Sequence, residues 1–439
     1  MTLIVSIILL LINSFLVIKI VRSDQFHLLL RLLWAISFFG WNAIPFLLTL
    51  LPQYKGDISI NYDFYLICWA LNLLYLFIVY VSAIIFNKRK WKFEKIFIKP
   101  SYQYNPRFIM FIMRVSVITL AIIIIIGLGN TASYAERNDV SNHDSDLLLG
   151  TISFLKGYVV LFLLAILFFY HKFLSNKEQF LIIGILSFHY ILVSFSGSRI
   201  QLFAVLIILL YVAISQKKKK LLIPVIAFGF LALTALPAIS ELRRSGESYS
   251  TSDVMQKRAK GEGDIIWEVM NKTNSVNSSS ALLLYSGIGS GGSLVYTSTL
   301  YSLVPRFIYP NKPHPGSMDG TMDGLPGRLA ANIGNSQYSS VANVGISTSL
   351  EALWAGGFVM YFIQALFAGF LMVLMNFALR GKKLLFLYFV LSLTSFPVCI
   401  LDVSLVNFSV SIQRFIIVYM VFFLIFSGIY RKCQIPNNI

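Results

Sequence analysis

Arg199, Arg243, Arg244, Arg306 and Arg328 are the residues of this sequence best suited to gripping a phosphorylated group. The guanidinium group is planar, binds phosphate oxygens in pairs and stays charged at any relevant pH. Arg199 follows Ser196-Gly197-Ser198, Arg243 and Arg244 follow an apolar run, and Arg328 follows Gly324-Leu325-Pro326-Gly327. Arg306 lies in Val304-Pro305-Arg306-Phe307-Ile308-Tyr309-Pro310-Asn311-Lys312-Pro313. Prolines fix φ and remove backbone donors, so Arg306 and Lys312 are expected to be held rather than loose. His314 follows at once and is a candidate proton carrier, although a lone histidine is more often structural. Glu351, after Ser347-Thr348-Ser349, is the candidate general base, with Asp402 a weaker second. Its plainer reading is an acid placed by the helix dipole in a first turn. Gly356-Gly357, one turn on, would let another backbone or a ligand approach closely. For each arginine the plainer reading is a side chain snorkelling to lipid headgroups or pairing with nearby acids.

The elements that must position these groups are apolar. The chain has 439 residues, 57% hydrophobic and 13% charged, about half the charged fraction of an average soluble domain. The apolar residues fall in runs long enough to cross a bilayer, and backbone in lipid must satisfy its own hydrogen bonds as helix. The pattern predicts an all-α polytopic protein of about 11 spans: 1–21, 28–51, 64–86, 108–129, 151–170, 179–196, 200–215, 221–240, 349–375, 384–403 and 410–430. Met1–Val21 is read as the first span, since neither a basic start nor a small-residue cleavage site marks it as a leader. The organisation expected is a bundle over 1–240, a large loop over 241–348, closing helices over 349–430 and a tail over 431–439.

Charge orients the plan. One set of span ends carries 21 basic and three acidic residues, including Lys19, Arg22, Arg31, Lys88-Arg89-Lys90, Lys217 to Lys220, Arg380 and Arg431. The other face carries 14 basic and 16 acidic residues, so the first set is expected in the cytoplasm and the large loop outside. The net charge of +17 is mostly this signal, which removes the nucleic-acid reading that a basic chain invites. Within the loop, Ser252–Lys260 and Asp264–Asn271 read as short helices. Residues 281–304 are apolar but broken by Gly287, Gly289, Gly291 and Gly292, which reads as a re-entrant or buried segment. Were that segment to span, Arg380-Gly381-Lys382-Lys383 would fall on the wrong side.

Cys68, Cys399 and Cys433 are far apart and make neither a disulfide framework nor a zinc pattern. No P-loop or HExxH stretch is present, so no metal and no nucleotide chemistry is read here.

Ser196-Gly197-Ser198-Arg199, Pro305-Arg306 with Lys312-Pro313, and Glu351-Ala352-Leu353-Trp354-Ala355-Gly356-Gly357 together resemble the bacterial O-antigen polymerases, or oligosaccharide repeat-unit polymerases. The resemblance covers most of the chain as architecture and about twenty residues as motifs. It implies a glycosyltransferase of the inner (plasma) membrane, working at the periplasmic face without metal or cofactor. Undecaprenyl-diphosphate-linked oligosaccharide would be both donor and acceptor, and a chain-length regulator protein a partner. Under the resemblance Arg199, Arg243 and Arg306 would bind the diphosphate. O-antigen ligases share the chemistry, and a flippase for the same lipid-linked sugar is the rival of a different class.

Overall fold

The computed structural model describes residues 2–38, 42–51, 61–88, 106–129, 156, 159–167, 174–196, 209–214, 223, 275–292, 304, 309 and 347–380. Its regular elements, among the described residues, are all helices: α1 (Thr2–Val21), α2 (Leu28–Phe38), α3 (Ile44–Leu50), α4 (Tyr62–Lys88), α5 (Pro106–Gly129), α6 (Asn176–Ser196), α7 (Ser275–Ser286) and α8 (Thr348–Arg380). Leu3–Val21, Asp63–Lys88 and Thr348–Arg380 are long and apolar enough to cross a membrane, and Met113–Ile125 is a shorter apolar helix. These segments mark a membrane protein.

Within the expected span 28–51 the structure describes α2 and α3, with 39–41 outside the described residues and Pro45 in the first turn of α3. Asn42, just before it, is fully buried and accepts a hydrogen bond from Trp69 Nε1 at 3.2 Å. The expected helices over 252–260 and 264–271, and the spans at 384–403 and 410–430, lie outside the described residues.

α4 and α8 form the centre. α1 packs on α2, α3 and α4; α7 packs on both α4 and α8; α5 packs on α6. In lipid the hydrophobic effect does not drive helices together, so close packing and hydrogen bonds must. Gly369 supplies the close approach: a Cβ there would overlap Ser82 Oγ and lie 2.8 Å from the Val79 carbonyl. Edge-to-face rings flank the contact, with Tyr75 and Tyr361 centred 5.5 Å apart and Phe86 and Phe370 5.8 Å apart. Exposed Ile4, Ile8, Leu11, Phe15 and Ile18 run down one side of α1, while Ser6, Asn13 and Ile20 are buried. Val359, Phe362, Ile363 and Leu366 make the corresponding exposed stripe on α8. Apolar side chains facing outward at helical spacing are what a lipid-facing surface requires.

α6 opens with a reciprocal cap. The Ser175 amide donates to Glu178 Oε2 at 3.0 Å and the Glu178 amide to Ser175 Oγ at 3.3 Å. Arg114, from α5, reaches Glu178 Oε1 at 3.4 Å. Burial pushes the Glu178 carboxyl up, but the Ser175 hydrogen bonds and the Arg114 guanidinium outweigh it and hold it below the usual range. The charge of Arg114 thus ends on a helix terminus rather than in the middle of the bundle.

At one end of the molecule the C-termini of α1, α4 and α8 meet. Asn376 Nδ2 donates to the Gln25 carbonyl at 2.9 Å and to Asn87 Oδ1 at 3.5 Å. The His27 amide donates to Asn376 Oδ1 at 2.8 Å, and Arg380 Nη2 donates to the Asp24 carbonyl at 2.6 Å. Arg31 reaches the Val21 carbonyl at 3.2 Å and Asp24 Oδ1 at 3.4 Å. Lys19, Lys88 and Arg380 therefore belong to one end, as their charge pattern predicts.

Candidate functional site

The site is built around a break in α8. Gly356 has φ −144° and Gly357 φ 65° with ψ −159°, neither of them helical. The turn after α7 reaches the helix backbone just before this break. Gly289 N–H donates to the Leu353 carbonyl at 3.1 Å and Gly291 N–H to the Trp354 carbonyl at 3.0 Å. Glycine is favoured on both sides of this contact: Gly289 and Gly357 by positive φ, 78° and 65°, and Gly291 because a Cβ there would lie 2.7 Å from the Trp354 ring. The close backbone approach expected at Gly356-Gly357 is what the structure holds there.

The break changes where α8 begins. Ser349 Oγ hydrogen-bonds Asn72 of α4, and Tyr361 Oη donates to the carbonyl of Leu71. An unbroken helix would put about 18 Å between Ser349 and Tyr361 along its axis, too far to meet neighbouring residues of a parallel α4. The first piece, Thr348 to Ala355, therefore runs across the bundle at the level of Asn72. The second piece, Phe358 to Arg380, runs alongside α4 for about 35 Å.

A buried polar cluster sits where this first piece starts. Ser347 Oγ donates to Asn72 Oδ1 at 3.1 Å and lies 2.7 Å from Ser349 Oγ. The Ser347 amide donates to Ser279 Oγ of α7 at 2.9 Å, and Ser280 Oγ donates to the Asn277 carbonyl at 2.8 Å. Asn72, Ser347, Ser349 and Ser279 are each 0% exposed, so these hydrogen bonds form away from solvent, where a missing partner costs most. Ser347 is the N-cap of α8, its carbonyl accepting from the Leu350 and Glu351 amides at 3.0 and 2.9 Å. Its hydroxyl goes to Asn72 rather than to its own first turn. Asn72 Nδ2 has no partner among the described residues.

Glu351 lies one turn past Ser347 and is half-buried, the only sequence-predicted site residue among the described residues. Arg199, Arg243, Arg244, Arg306, Lys312, His314 and Arg328 lie outside the described residues, as does Asp402. The structure thus places the candidate base and does not describe the candidate diphosphate arginines. Among the described residues no cluster of three or more His, Cys, Asp or Glu side chains could hold a metal ion. Asn72 and the serines of α7 were not among the residues the sequence singled out. The signal for Asn72 is an amide inside an apolar run, which must find hydrogen-bond partners once the run is in lipid.

The chain matches no protein-family model, no curated protein and no solved structure. Its class rests on its own residues: a helical membrane protein with a discontinuous central helix.

Proposed function

We propose that the chain is a lipid-linked glycosyltransferase that joins undecaprenyl-diphosphate-linked oligosaccharide repeat units at the periplasmic face of a bacterial inner membrane. The observation that carries the reading is the position of Glu351. Its half-buried carboxylate stands on the first turn of a helix that starts inside the bundle, beside a polar cluster and just before the break. The motif resemblance and the set of arginines at span ends and in the 241–348 segment support the same reading.

In the proposed reaction an acceptor sugar hydroxyl attacks the anomeric carbon of the donor. The bond from that carbon to the diphosphate oxygen breaks, and undecaprenyl diphosphate leaves with the bonding pair. Glu351 takes the hydroxyl proton, with His314 as the alternative carrier. Arg199, Arg243, Arg244 and Arg306, with Lys312 and Arg328, stabilise the charge that grows on the leaving group, the term that dominates such barriers.

The test is purified protein in bilayer discs supplied only with lipid-linked repeat units. Lengthened glycan is expected from the wild type. Arg306→Ala and Arg199→Ala are expected to cut the rate by about 10²-fold or more at unchanged protein level. Full-length ladders from both variants would end the arginine role.

A second reading, a flippase for the same lipid-linked sugar, is favoured by the broken α8. Discontinuous helices with inward N-termini are common in transporters. The same assay separates the two, because a flippase moves the lipid without lengthening its glycan.

A further inference from the structure

The first turn of α8 carries the acid Glu351, and its Leu350 and Glu351 amides bond the Ser347 carbonyl. A helix N-terminus carries about half a positive elementary charge and several amides without intrahelical partners. Normally a cap hydroxyl turns back to occupy one of them. Here Ser347 Oγ is committed to Asn72, and the Ser347 amide is held by a neutral acceptor, Ser279 Oγ, at 2.9 Å. A second observation comes from α4, which packs on this helix end. The carboxamide of Asn72, 0% exposed, faces this N-terminus through its Oδ1, and its Nδ2 donor has no partner among the described residues. A buried donor with no acceptor costs about 1–3 kcal/mol, and an oxyanion is the acceptor that would satisfy it together with the helix end.

We propose that the junction of α7 and the α8 N-terminus beneath Asn72 is a subsite for a phosphoryl oxyanion. The incoming oxygen displaces Ser279 Oγ from the Ser347 amide and accepts from Asn72 Nδ2, exchanging a neutral hydrogen bond for charge-assisted ones. Identifying that phosphoryl group as the diphosphate of a lipid-linked sugar rests on the glycosyl-transfer reading. Under it, Glu351 stands one helical turn from the leaving group it works with.

The experiment uses the full chain in bilayer discs, with inorganic pyrophosphate and undecaprenyl diphosphate as separate probes and binding read by thermal shift and competition. Asn72→Asp keeps an acceptor for Ser347 and Ser349 but sets a negative oxygen where the donor was. It is expected to weaken the binding of either probe at least tenfold. Ser279→Ala removes the competing hydroxyl and is expected to tighten binding several-fold. These opposite signs cannot both come from a damaged fold. Response to pyrophosphate alone identifies a soluble anion as the source, and response to the lipid alone identifies a headgroup; both carry the subsite. Wild-type binding by Asn72→Asp, or loss of binding in Ser279→Ala, overturns it. A wild type that binds a probe but never lengthens glycan removes the glycosyl-transfer reading and leaves the subsite. A wild type that lengthens glycan, with both variants binding like it, removes the subsite alone.

Discussion

Gly357 and Gly369 are glycines for different reasons, and their substitutions separate those reasons. Gly357 sits at φ 65° and ψ −159°, a region open essentially to glycine alone, with only Ile288 Cγ2 near its missing Cβ at 3.9 Å. Gly357→Ala is therefore expected to cost about 1–3 kcal/mol through backbone strain, read as a lowered midpoint of thermal unfolding in detergent. Gly369 is ordinary helix, and its Cβ would strike Ser82 Oγ and the Val79 carbonyl. Gly369→Ala is expected to cost a similar amount, about 1–3 kcal/mol, by overpacking. Pairing it with Ser82→Gly should recover the part of the loss due to the Ser82 side chain and leave the part due to the Val79 carbonyl, whereas Ser82→Gly should do nothing for Gly357→Ala. The two glycines were unequally legible. Gly356-Gly357 stands out as an adjacent pair in an apolar run. Gly369 looks like any small residue in a span, because its reason lies on another helix. Asn72 was hidden in the same way: an amide in a span needs partners, and nothing local says that they are Ser347 and Ser349, more than 270 residues away.

Among the elements, α7 was half legible. Its glycines read as a break in an apolar segment, and the helix that precedes them, Ser275–Ser286, is too short to span. Its first half, Ser275-Val276-Asn277-Ser278-Ser279-Ser280, does not read as helix from sequence. Serine and asparagine compete with the backbone for hydrogen bonds and favour turns. Here burial against Asn72 and Ser347 overrides that preference. α2 shows the reverse, an element whose start has a visible cap once its neighbours are known. His27 Nδ1 accepts the Leu29 amide at 3.3 Å, which an unprotonated ring nitrogen alone can do. Burial, then the Arg380 and Arg31 guanidinium groups, push the His27 imidazole down to about 4. Between that value and the ordinary 6.5 the unfolded chain binds the proton and the folded one does not. Stability therefore falls as pH drops from about 6.5 to about 4 and levels off below. His27→Asn, which can cap without titrating, is expected to flatten that part of the profile of unfolding midpoint against pH.

For the whole molecule, the charge pattern was the most informative part of the sequence. It assigns Lys19, Lys88 and Arg380 to one side, and the Asn376, Asn87, Gln25 and His27 contacts bring those helix ends together. Cysteines in place of Gln25 and Asn376, in an otherwise cysteine-free chain, are expected to be joined by a short bifunctional thiol cross-linker. Failure to cross-link, with the chain folded, would mean that α8 does not end beside α1. What the sequence could not convey is that α8 is two pieces at different angles. Hydropathy averages over the break and reports one apolar run.

The partnership of His27 with Asn376 joins positions 349 residues apart. A ribosome adds about 5–20 residues per second, so the first hairpin waits roughly 20–70 seconds after its own synthesis before its last partner emerges. During that interval Asp24, Gln25 and His27 must be kept by water or by the insertion machinery, and α4 stands in the bilayer with Ser82 uncovered. Assembly of this bundle is in that sense a race against its own translation, and the late arrival of α8 closes both ends of it at once.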